Sequence, residues 1–319
     1  MHPPFLACVV QAAPVYLDLA RSVEKAQSLI VQAADAGAKF IAFPELWLPG
    51  YPWWIWLDDI GWADERGFSQ RYREQALDFD GTEIQAIAGT AAQHGVQVLM
   101  GAAERAGDRL YISQWLVDET GQTRLHRRKL KPGPLELKVF SEGGEQDLPV
   151  VDTSLGRVGA LACAEHRHPL LKHALHVQKE MLHVAAWPSY PLASTPNMLS
   201  ADTFLAISRT YATEGCCYVL APCAPLPAEV ANSLCDTPAK AARLHAGGGH
   251  AQIFAPNGDP LCKPLAPAQE GLLYAQIDPG LSARARGAFD LSGHSSRADI
   301  VRLQGPAQLD QPTSRKGVL

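Results

Sequence analysis

The sequence predicts an α/β protein in which two mixed β-sheets pack face to face and helices cover the outer surfaces. Two observations lead to this prediction. Apolar runs typical of strands alternate with amphipathic helical patterns, and the same order appears in both halves of the chain. Because a sheet or helix with an apolar face must bury that face against another layer, two such halves predict two stacked sheets between helices.

The first half contains two helix–strand units around a long irregular segment. Its predicted elements are a strand at Phe5 to Ala12, a helix at Ser22 to Ala36, a strand at Lys39 to Pro44, a helix at Glu83 to His94 and a strand at Val96 to Ala102. The segment from Trp47 to Phe79 is rich in aromatic residues, Pro and Gly, so it predicts a long ordered loop or insertion in preference to a regular element, and loops of that length are usually functional.

Hairpins and further helix–strand units follow. The predicted elements are hairpins at Leu110 to Arg128 and Leu148 to Cys163, a helix at Leu170 to Lys179, a strand at Met181 to Ala186, a helix at Asp202 to Thr213, a strand at Cys217 to Ala221, a hairpin at Gly247 to Pro264 and a strand at Leu272 to Ile277. Turn residues such as Pro256-Asn-Gly258 mark the hairpin connections.

Composition limits the class of protein. The chain has 319 residues, of which 47% are hydrophobic and 19% charged, so it can bury a large core. Since no Gly- or Ser-rich linker divides it, we expect one domain over residues 1–304 and a polar tail over 305–319. A net charge of -5 offers no basic field for nucleic acid. Without a signal-peptide pattern or a long apolar run, the sequence predicts a cytoplasmic protein with no membrane partner.

One of the seven cysteines stands at a position suited to catalysis. The strand that starts at Arg157 delivers Cys163 to a short turn before the helix at Leu170, which is a strand–turn–helix elbow. Such an elbow exposes the side chain at its apex, and its backbone N–H groups favour a thiolate and can form an oxyanion hole. The alternative is a buried cysteine that only fills space in the core.

Charged residues at other strand ends offer partners for this thiol. Glu45 ends an apolar strand, where α/β proteins place ligands, although a solvated charge is the alternative. Lys129 and Lys131 end another strand and lie on one side of it by period two, although a basic run is usually a solvated face. Glu136, a few residues later, would by itself pass as a surface carboxylate.

These segments, in this order and spacing, resemble the signature blocks of the nitrilase superfamily. The matching segments are Phe43-Pro-Glu45 with Leu48-Pro-Gly-Tyr-Pro52, Arg128-Lys129-Leu-Lys-Pro132, Cys163-Ala-Glu165, Ala186-Trp-Pro188, Glu214-Gly215, Gly247-Gly-Gly249 and Pro256-Asn-Gly258. The similarity spans roughly residues 5 to 300. The Pro-Gly-Tyr-Pro-Trp stretch, Ala-Trp-Pro and the three consecutive glycines resemble the true nitrilase branch more than its amidase or carbamoylase relatives.

The resemblance implies an α-β-β-α sandwich of the nitrilase type and a homodimer or larger homo-oligomer. It makes Cys163 the nucleophile, Glu45 the general base, Lys129 the cation that stabilises the tetrahedral intermediate, and Glu136 an additional structural or catalytic carboxylate. It implies hydrolysis of a small-molecule nitrile to a carboxylic acid and ammonia, with no metal and no organic cofactor, because the reaction needs only proton and acyl transfer.

Substrate binding is inferred from residues near these blocks. Trp53, Trp54 and Trp187 are expected to line the pocket, where aromatic walls favour an aromatic or arylaliphatic nitrile over cyanide. Glu165 and His166 follow the nucleophile and are expected to contact the substrate as well. The superfamily pattern commonly has Asn where this chain has His166, and a ring there could tune the pH dependence, although a solvated loop histidine is the alternative.

Three other functions remain open. An amidase or N-carbamoyl hydrolase of the same superfamily would use the same thiol, carboxylate and amine. A metal-dependent hydrolase is suggested by Cys163, Glu165, His166 and His168, although zinc ligands usually come from well-separated segments. An inactive relative kept as a scaffold is the third, and the intact set of four charged and thiol residues argues against it.

Overall fold

The computed structural model of the chain describes residues 2–193, 199–297 and 299–300. The strands are β1 Phe5–Gln11, β2 Ala38–Ala42, β3 Leu77–Asp78, β4 Gln97–Ala106, β5 Arg109–Val117, β6 Thr123–Arg128, β7 Val151–Thr153, β8 Gly156–Ala162, β9 Leu182–Ala186, β10 Tyr218–Ala221, β11 Gln252–Phe254 and β12 Gly271–Ile277. The α-helices are α1 Leu19–Asp35, α2 Ile60–Glu65, α3 Phe68–Glu74, α4 Thr82–His94, α5 Pro169–His176, α6 Ala201–Gly215, α7 Ala228–Leu234, α8 Pro238–Ala241 and α9 Pro279–Ala288.

The strands form two mixed sheets. The first has the order β12-β1-β2-β4-β5-β6, with β3 paired to β4, and the second has the order β11-β10-β9-β8-β7. In the first sheet β1, β2 and β4 are parallel neighbours, and in the second sheet β10, β9 and β8 are parallel neighbours. Antiparallel strands flank each parallel centre. The predicted α/β class with two mixed sheets is confirmed.

Alternation along the central strands places one set of side chains between the sheets and the other under helices. On β1, Ala7 and Val9 belong to a buried cluster that includes Val184 from β9 of the other sheet. The intervening residue Cys8 belongs to a second cluster with Ile30 from α1. Because strands have a side-chain period of two, each parallel strand contributes to both the middle layer and an outer layer.

The segment from Trp47 to Phe79 is not the loop that the sequence predicted. It contains a 3₁₀ turn at Trp53–Trp56, the short helices α2 and α3, and β3. The aspartate before α2, Asp59, accepts a hydrogen bond from the Trp62 N–H at 2.9 Å and so caps that helix. The sequence did not predict these elements, because helices of six and seven residues are too short to show a clear apolar stripe among so many aromatic residues.

The C-terminal third differs from the prediction in three places. The sequence did not indicate α7, α8 or α9, which are short or weakly amphipathic. The predicted hairpin from Gly247 is reduced to β11 and one bridge between Phe254 and Pro260, because proline lacks the N–H that a strand ladder needs. The last strand, β12, pairs with β1 of the first sheet, so the two halves of the chain are not two separate sheets.

The predicted division of the chain into a domain and a tail remains open. The tail over 305–319 lies outside the described residues, so the division into one domain over 1–304 and a tail stays a prediction. Among the described residues, no helix is both long enough and apolar enough to cross a bilayer.

A close approach between β4 and the segment that follows β2 yields a prediction. A Cβ at Gly101 would overlap the Pro44 carbonyl oxygen and lie 3.1 Å from the Glu45 Cα. Since backbone atoms cannot move aside as a flexible side chain can, we expect Gly101→Ala to lower the free energy of unfolding by about 1–3 kcal/mol, as overpacking does. Urea denaturation followed by circular dichroism measures the change.

Gly89→Ala is the matched control for this substitution. Gly89 is exposed within α4, and a Cβ there meets no atom within 4 Å. Alanine is the better helix former, so we expect this variant to gain about 0.5–1 kcal/mol. Equal unfolding midpoints for the two variants would contradict the close approach at Gly101.

Candidate active site

Cys163 lies at the apex of the predicted elbow. β8 ends at Ala162, a 3₁₀ turn runs over Cys163–Arg167, and α5 begins at Pro169. Cys163 has a φ of 46°, in the left-handed region that is unfavourable for a side chain with a Cβ. The residue as a whole is partly exposed. The chain therefore holds this residue in a sparsely populated conformation, which is common where a site must be preorganised.

Glu165 holds the elbow to the strand that carries the lysine. One carboxylate oxygen accepts a hydrogen bond from the Leu130 N–H at 2.8 Å and from Arg127 Nη2 at 2.7 Å, and the other accepts from the Ala162 N–H at 2.8 Å. Both ionic side chains are fully buried. Burial alone would raise the pKa of Glu165, but Arg127 and the backbone donors hold it below its usual value. Glu165 is thus an anion fully engaged within the protein.

Glu45 reaches the site from the other sheet. It follows β2, and its backbone N–H donates to the Trp187 carbonyl oxygen at 3.2 Å, which joins the ends of the two sheets. Its side chain is buried, and Oε1 accepts a hydrogen bond from Lys129 Nζ at 2.8 Å. The other oxygen, Oε2, is buried and has no hydrogen-bond partner among the described residues. This oxygen is therefore free to accept a proton.

Lys129 bridges the two carboxylates that the sequence singled out. Its ammonium group donates to Glu45 Oε1 and to Glu136 Oε2, both at 2.8 Å, and it is buried. Glu136 also accepts from the Gly133 N–H at 2.6 Å and from the Tyr51 hydroxyl at 3.0 Å. Lys131, expected on the same side as Lys129, is exposed and pairs with Glu142. That expectation was wrong because β6 ends at Arg128, so strand alternation does not extend to Lys131.

The two carboxylates differ in acidity because their surroundings differ. Burial raises the pKa of Glu45 to about 8, against the lowering effect of Lys129. Burial acts on Glu136 in the same direction, but Lys129, the Gly133 N–H and the Tyr51 hydroxyl outweigh it and lower the pKa of Glu136. Two titratable groups whose pKa values are pushed apart can take different roles in one reaction. Glu45 is suited to proton transfer, and Glu136 is suited to a constant negative charge.

Cys163 carries a neutral thiol near neutral pH. Burial and the negative field of Glu45 raise the pKa of Cys163 well above its usual value, while Lys129 and the Ala164 N–H lower it by less. The lowering by the Ala164 N–H has the direction expected of the elbow, but burial outweighs it. The thiol and the Glu45 carboxylate therefore form a pair in which proton transfer has to accompany nucleophilic attack.

The predicted substrate-binding residues occupy different places. Trp53 lines a cleft together with Pro14, Tyr16, Glu45, Leu46, Trp47, Gly50, Tyr51, Pro188, Ser189, Ala224, Pro225, Leu226 and Pro227. Trp54 is fully buried and packs against Phe68 and Tyr72. Trp187 is buried behind the elbow, where its indole N–H donates to Ser208 at 3.0 Å.

His166 is buried rather than solvated. Its ring packs against Trp187, with 4.9 Å between ring centroids, and hydrogen-bonds to His183 at 2.9 Å. The alternative of a solvated loop histidine is therefore wrong. Within residues 2–193, 199–297 and 299–300, no group of three or more His, Cys, Asp or Glu is placed to hold a metal ion.

Sequence reasoning missed several residues that shape the site. Arg127 precedes Lys129 by two residues, so period two would have placed both on the same face. It was overlooked because a basic run usually faces solvent. Tyr51 stands within the aromatic segment and gave no separate signal. His183 and Glu180 flank the start of β9, where the apolar pattern of the strand drew attention away from two buried polar residues.

Comparison of folds defines the structural class. The chain is similar to Nit3 from Saccharomyces cerevisiae, a member of branch 10 of the nitrilase superfamily, with a TM-score of 0.70 and 17% identity over 92% of this chain and 97% of that one. At this low sequence identity, the similarity shows the fold alone. The structure is therefore an α-β-β-α sandwich of the nitrilase type, as the resemblance implied.

Comparison of sequences gives the family. The carbon-nitrogen hydrolase family matches residues 6–286. A nitrilase from Pseudomonas syringae pv. syringae is 46% identical over 95% of this chain and 90% of its own length. An arylacetone-specific nitrilase from Alcaligenes faecalis is 42% identical over 93% of this chain and 83% of its own length. The chain belongs to the carbon-nitrogen hydrolase family, in its nitrilase branch, and is a hydrolase that acts on carbon–nitrogen bonds.

The buried pair behind the elbow yields a prediction on stability. Arg127→Met would leave Glu165 buried without its cation, and breaking such a pair costs about 3–5 kcal/mol. We expect a large drop in the free energy of unfolding, measured by urea denaturation. Adding Glu165→Gln to the same chain removes the uncompensated charge and should restore part of the loss.

Arg284→Met serves as the control, because Arg284 and Asp278 form an exposed pair. Solvent screens such a pair, so its loss should leave the unfolding midpoint unchanged. If Arg127→Met behaved like Arg284→Met, the elbow would not depend on the buried pair.

Proposed function

We propose that the protein hydrolyses an aromatic or arylaliphatic nitrile to a carboxylic acid and ammonia through covalent intermediates on Cys163. The observation that carries this proposal is the free Oε2 of Glu45, a buried carboxylate oxygen in the electrostatic field of a thiol, in a chain of the nitrilase branch. Cys163, Glu45, Lys129 and Glu136 come from separate segments, and their charges converge on one site.

The first step adds the thiol to the nitrile carbon. Glu45 takes the proton from Cys163 as the sulfur bonds to the carbon. It then passes this proton to the nitrile nitrogen, which gives a thioimidate and restores the Glu45 carboxylate. The Lys129 ammonium lies beside Glu45 and can donate to the developing negative charge on nitrogen. A water molecule, deprotonated by Glu45, then adds to the same carbon and forms a tetrahedral species that carries OH, NH₂ and the sulfur.

The next steps release both products. Glu45 transfers the hydroxyl proton of the tetrahedral species to the amino group. The carbon–nitrogen bond then breaks, ammonia leaves, and the hydroxyl oxygen becomes the carbonyl oxygen of a thioester on Cys163. A second water, again deprotonated by Glu45, attacks the thioester carbon, and the carbon–sulfur bond breaks to release the acid and restore the thiol. Glu136 keeps its negative charge throughout, so it holds Lys129 protonated and directed at Glu45.

The substrate class is proposed from the cleft and from one relative. Trp53, Tyr16 and Trp47 give the cleft aromatic walls beside Glu45, and flat or bulky apolar groups stack on such walls. The name of the Alcaligenes faecalis relative states arylacetone specificity for that protein. Direct substrate contact by Trp54, Trp187, Glu165 and His166 stays a prediction. Their buried positions are consistent with a role in supporting the walls of the cleft and the elbow.

An amidase or N-carbamoyl hydrolase is the second candidate, because the same thiol, carboxylate and ammonium can act on an amide carbonyl. The nitrilase relatives favour the nitrile. We further propose a homodimer or larger homo-oligomer, and a cytoplasmic location, which suits a nucleophilic thiol because the cytosol keeps thiols reduced.

Trapping the covalent intermediate tests the nucleophile. We expect the wild-type protein, quenched during turnover of phenylacetonitrile, to carry a mass increment on the peptide that contains Cys163. Cys163→Ala should lose at least about 10³-fold in kcat, since the residues of such a set act as a unit, and should keep its unfolding midpoint. Cys262→Ala is the control, because Cys262 is a free cysteine of intermediate exposure outside the site. Normal turnover by Cys163→Ala would overturn the mechanism.

The pH dependence tests Glu45. Because the pKa of Glu45 is raised to about 8, the base form is lost as the pH falls through that value. We therefore expect kcat/KM for phenylacetonitrile to rise with pH up to about 8, and to fall about tenfold per unit well below it. The same profile should appear with phenylacetamide if the protein accepts an amide. A flat profile over this range would remove Glu45 from the role of base, and equal efficiency on both substrates would favour the amidase alternative.

A further inference from the structure

Behind the elbow lies a chain of buried polar groups that the proposed mechanism does not use. His166 Nδ1 lies 2.9 Å from the carbonyl oxygen of Cys163, and His166 Nε2 lies 2.9 Å from His183 Nε2. His183 Nδ1 lies 2.8 Å from Glu180 Oε2, and the Tyr211 hydroxyl donates to Glu180 Oε1 at 2.5 Å. All of these side chains are buried.

The number of protons in this chain follows from its geometry. A carbonyl oxygen only accepts, so His166 Nδ1 must carry a hydrogen. One further hydrogen lies between the two Nε2 atoms, and a third lies between His183 Nδ1 and Glu180. Two neutral imidazoles supply only two of the three. The third is either the carboxyl hydrogen of Glu180 or the extra hydrogen of an imidazolium beside the Glu180 carboxylate.

Both arrangements leave the chain with zero net charge. If one proton is removed, the chain becomes an anion, and two acceptors then face each other at one of the three contacts. A buried polar contact without its hydrogen is costly, so the intact chain requires the third proton. Gly159 makes room for this arrangement, because a Cβ at that position would overlap Glu180 Oε2.

The far end of the chain meets the peptide group that serves the nucleophile. The Cys163 carbonyl accepts from His166, and the N–H of the same peptide group, which belongs to Ala164, lowers the pKa of the Cys163 thiol. A hydrogen bond to a carbonyl polarises its peptide group and strengthens the N–H as a donor. A proton held at Glu180 is thereby connected to the hydrogen bond that stabilises the thiolate.

We propose that Glu180, His183 and His166 are positioning residues that form a three-proton relay, which orients the Cys163–Ala164 peptide and strengthens its N–H toward the reacting sulfur. The proposal rests on the role of Cys163 in the proposed function. In this role the three act on the reaction through the Cys163–Ala164 peptide group. Tyr211 stacks on His183 with 3.8 Å between ring centroids and fixes the plane of that ring.

Other titratable groups face the relay from each neighbouring element. Glu180 is faced by His176 of α5, by Tyr211 of α6, by Cys217 after that helix and by Arg286 of α9. Arg286 also donates to the Glu180 backbone carbonyl.

The site end of the relay carries its own charges. His166 is faced by Glu165 and Arg127, which already form their own ion pair. The fields of these two groups on His166 therefore oppose each other.

These surroundings place the third proton on the carboxyl group. Burial raises the pKa of Glu180 to about 7, even though His176, Tyr211 and Arg286 lower it. Burial lowers the pKa of both His166 and His183 well below the usual value. Below about pH 7 the relay is therefore complete, and above it Glu180 loses its proton and one contact is broken.

Glu180→Gln mimics the protonated form at every pH, because its amide oxygen can accept from Tyr211 and its NH₂ can donate to His183. We expect kcat/KM for phenylacetonitrile to equal the wild-type value at about pH 6. At about pH 8.5 it should exceed the wild-type value about fivefold, the factor that one hydrogen bond contributes. Because the titration of Glu45 is common to both proteins, the ratio of their kcat/KM values removes its contribution.

The rate of Cys163 alkylation by iodoacetamide, read by mass spectrometry, should show the same pH-dependent ratio without any turnover. It separates this proposal from the proposed function, because a failure of Cys163 as nucleophile appears in the trapping experiment and leaves the alkylation ratio intact. Glu214→Gln is the matched control. Glu214 lies on α6 and pairs with Lys172 outside the relay. The ratio of the alkylation rates of Glu214→Gln and the wild-type protein should therefore stay constant with pH.

Two further variants keep the test informative if Glu180→Gln does not fold. His166→Asn keeps a donor for the Cys163 carbonyl but no longer reaches His183, so its activity should lose the wild-type change near pH 7. Tyr211→Phe removes a donor to Glu180 and should move that change to higher pH. A Glu180→Gln to wild-type ratio that is flat from about pH 6 to about pH 8.5, or a His166→Asn protein with the wild-type change, would overturn the relay.

Discussion

The buried contact between Arg127 and Glu165 is the interaction on which the site depends. It ties the end of β6, in one sheet, to the turn after β8, in the other, and Glu165 also accepts the backbone N–H groups on both sides. Two buried charges are tolerated because every oxygen of the carboxylate is hydrogen-bonded. The same contact brings Lys129 and Cys163, which belong to different sheets, to one place.

The chemistry of the site depends on a difference in pKa between two carboxylates, Glu45 and Glu136. Glu45 and Glu136 share the ammonium of Lys129, but only Glu136 has additional donors, so the two carboxylates separate in pKa. A single lysine thus supports a proton acceptor and a permanent anion. The arrangement requires burial, because water would supply hydrogen bonds to both carboxylates and remove the difference.

Sequence patterns predicted those features of the structure that depend on neighbouring residues in the chain. Apolar periodicity and turn residues predicted the strand that delivers Cys163, the carboxylate after β2 and the helices α1, α4, α5 and α6. The motif resemblance combined Glu45, Lys129, Glu136 and Cys163. Pairing of β12 with β1 could not be predicted, because contacts between distant strands leave no local signal. Arg127, His183 and Glu180 were missed for a related reason. A buried polar residue resembles a surface one until its partner is known.

The elbow is held on its two sides by contacts of different kinds. On one side, Glu165 stays ionised because Arg127 compensates it, so its hold on the turn does not vary near neutral pH. On the other side, the relay from Glu180 to His166 is complete only with its third proton, although Arg286 faces Glu180. A residue at φ 46° relaxes when either hold is lost. We therefore propose that the ion pair fixes the geometry of Cys163 and that the third proton of the relay adjusts it.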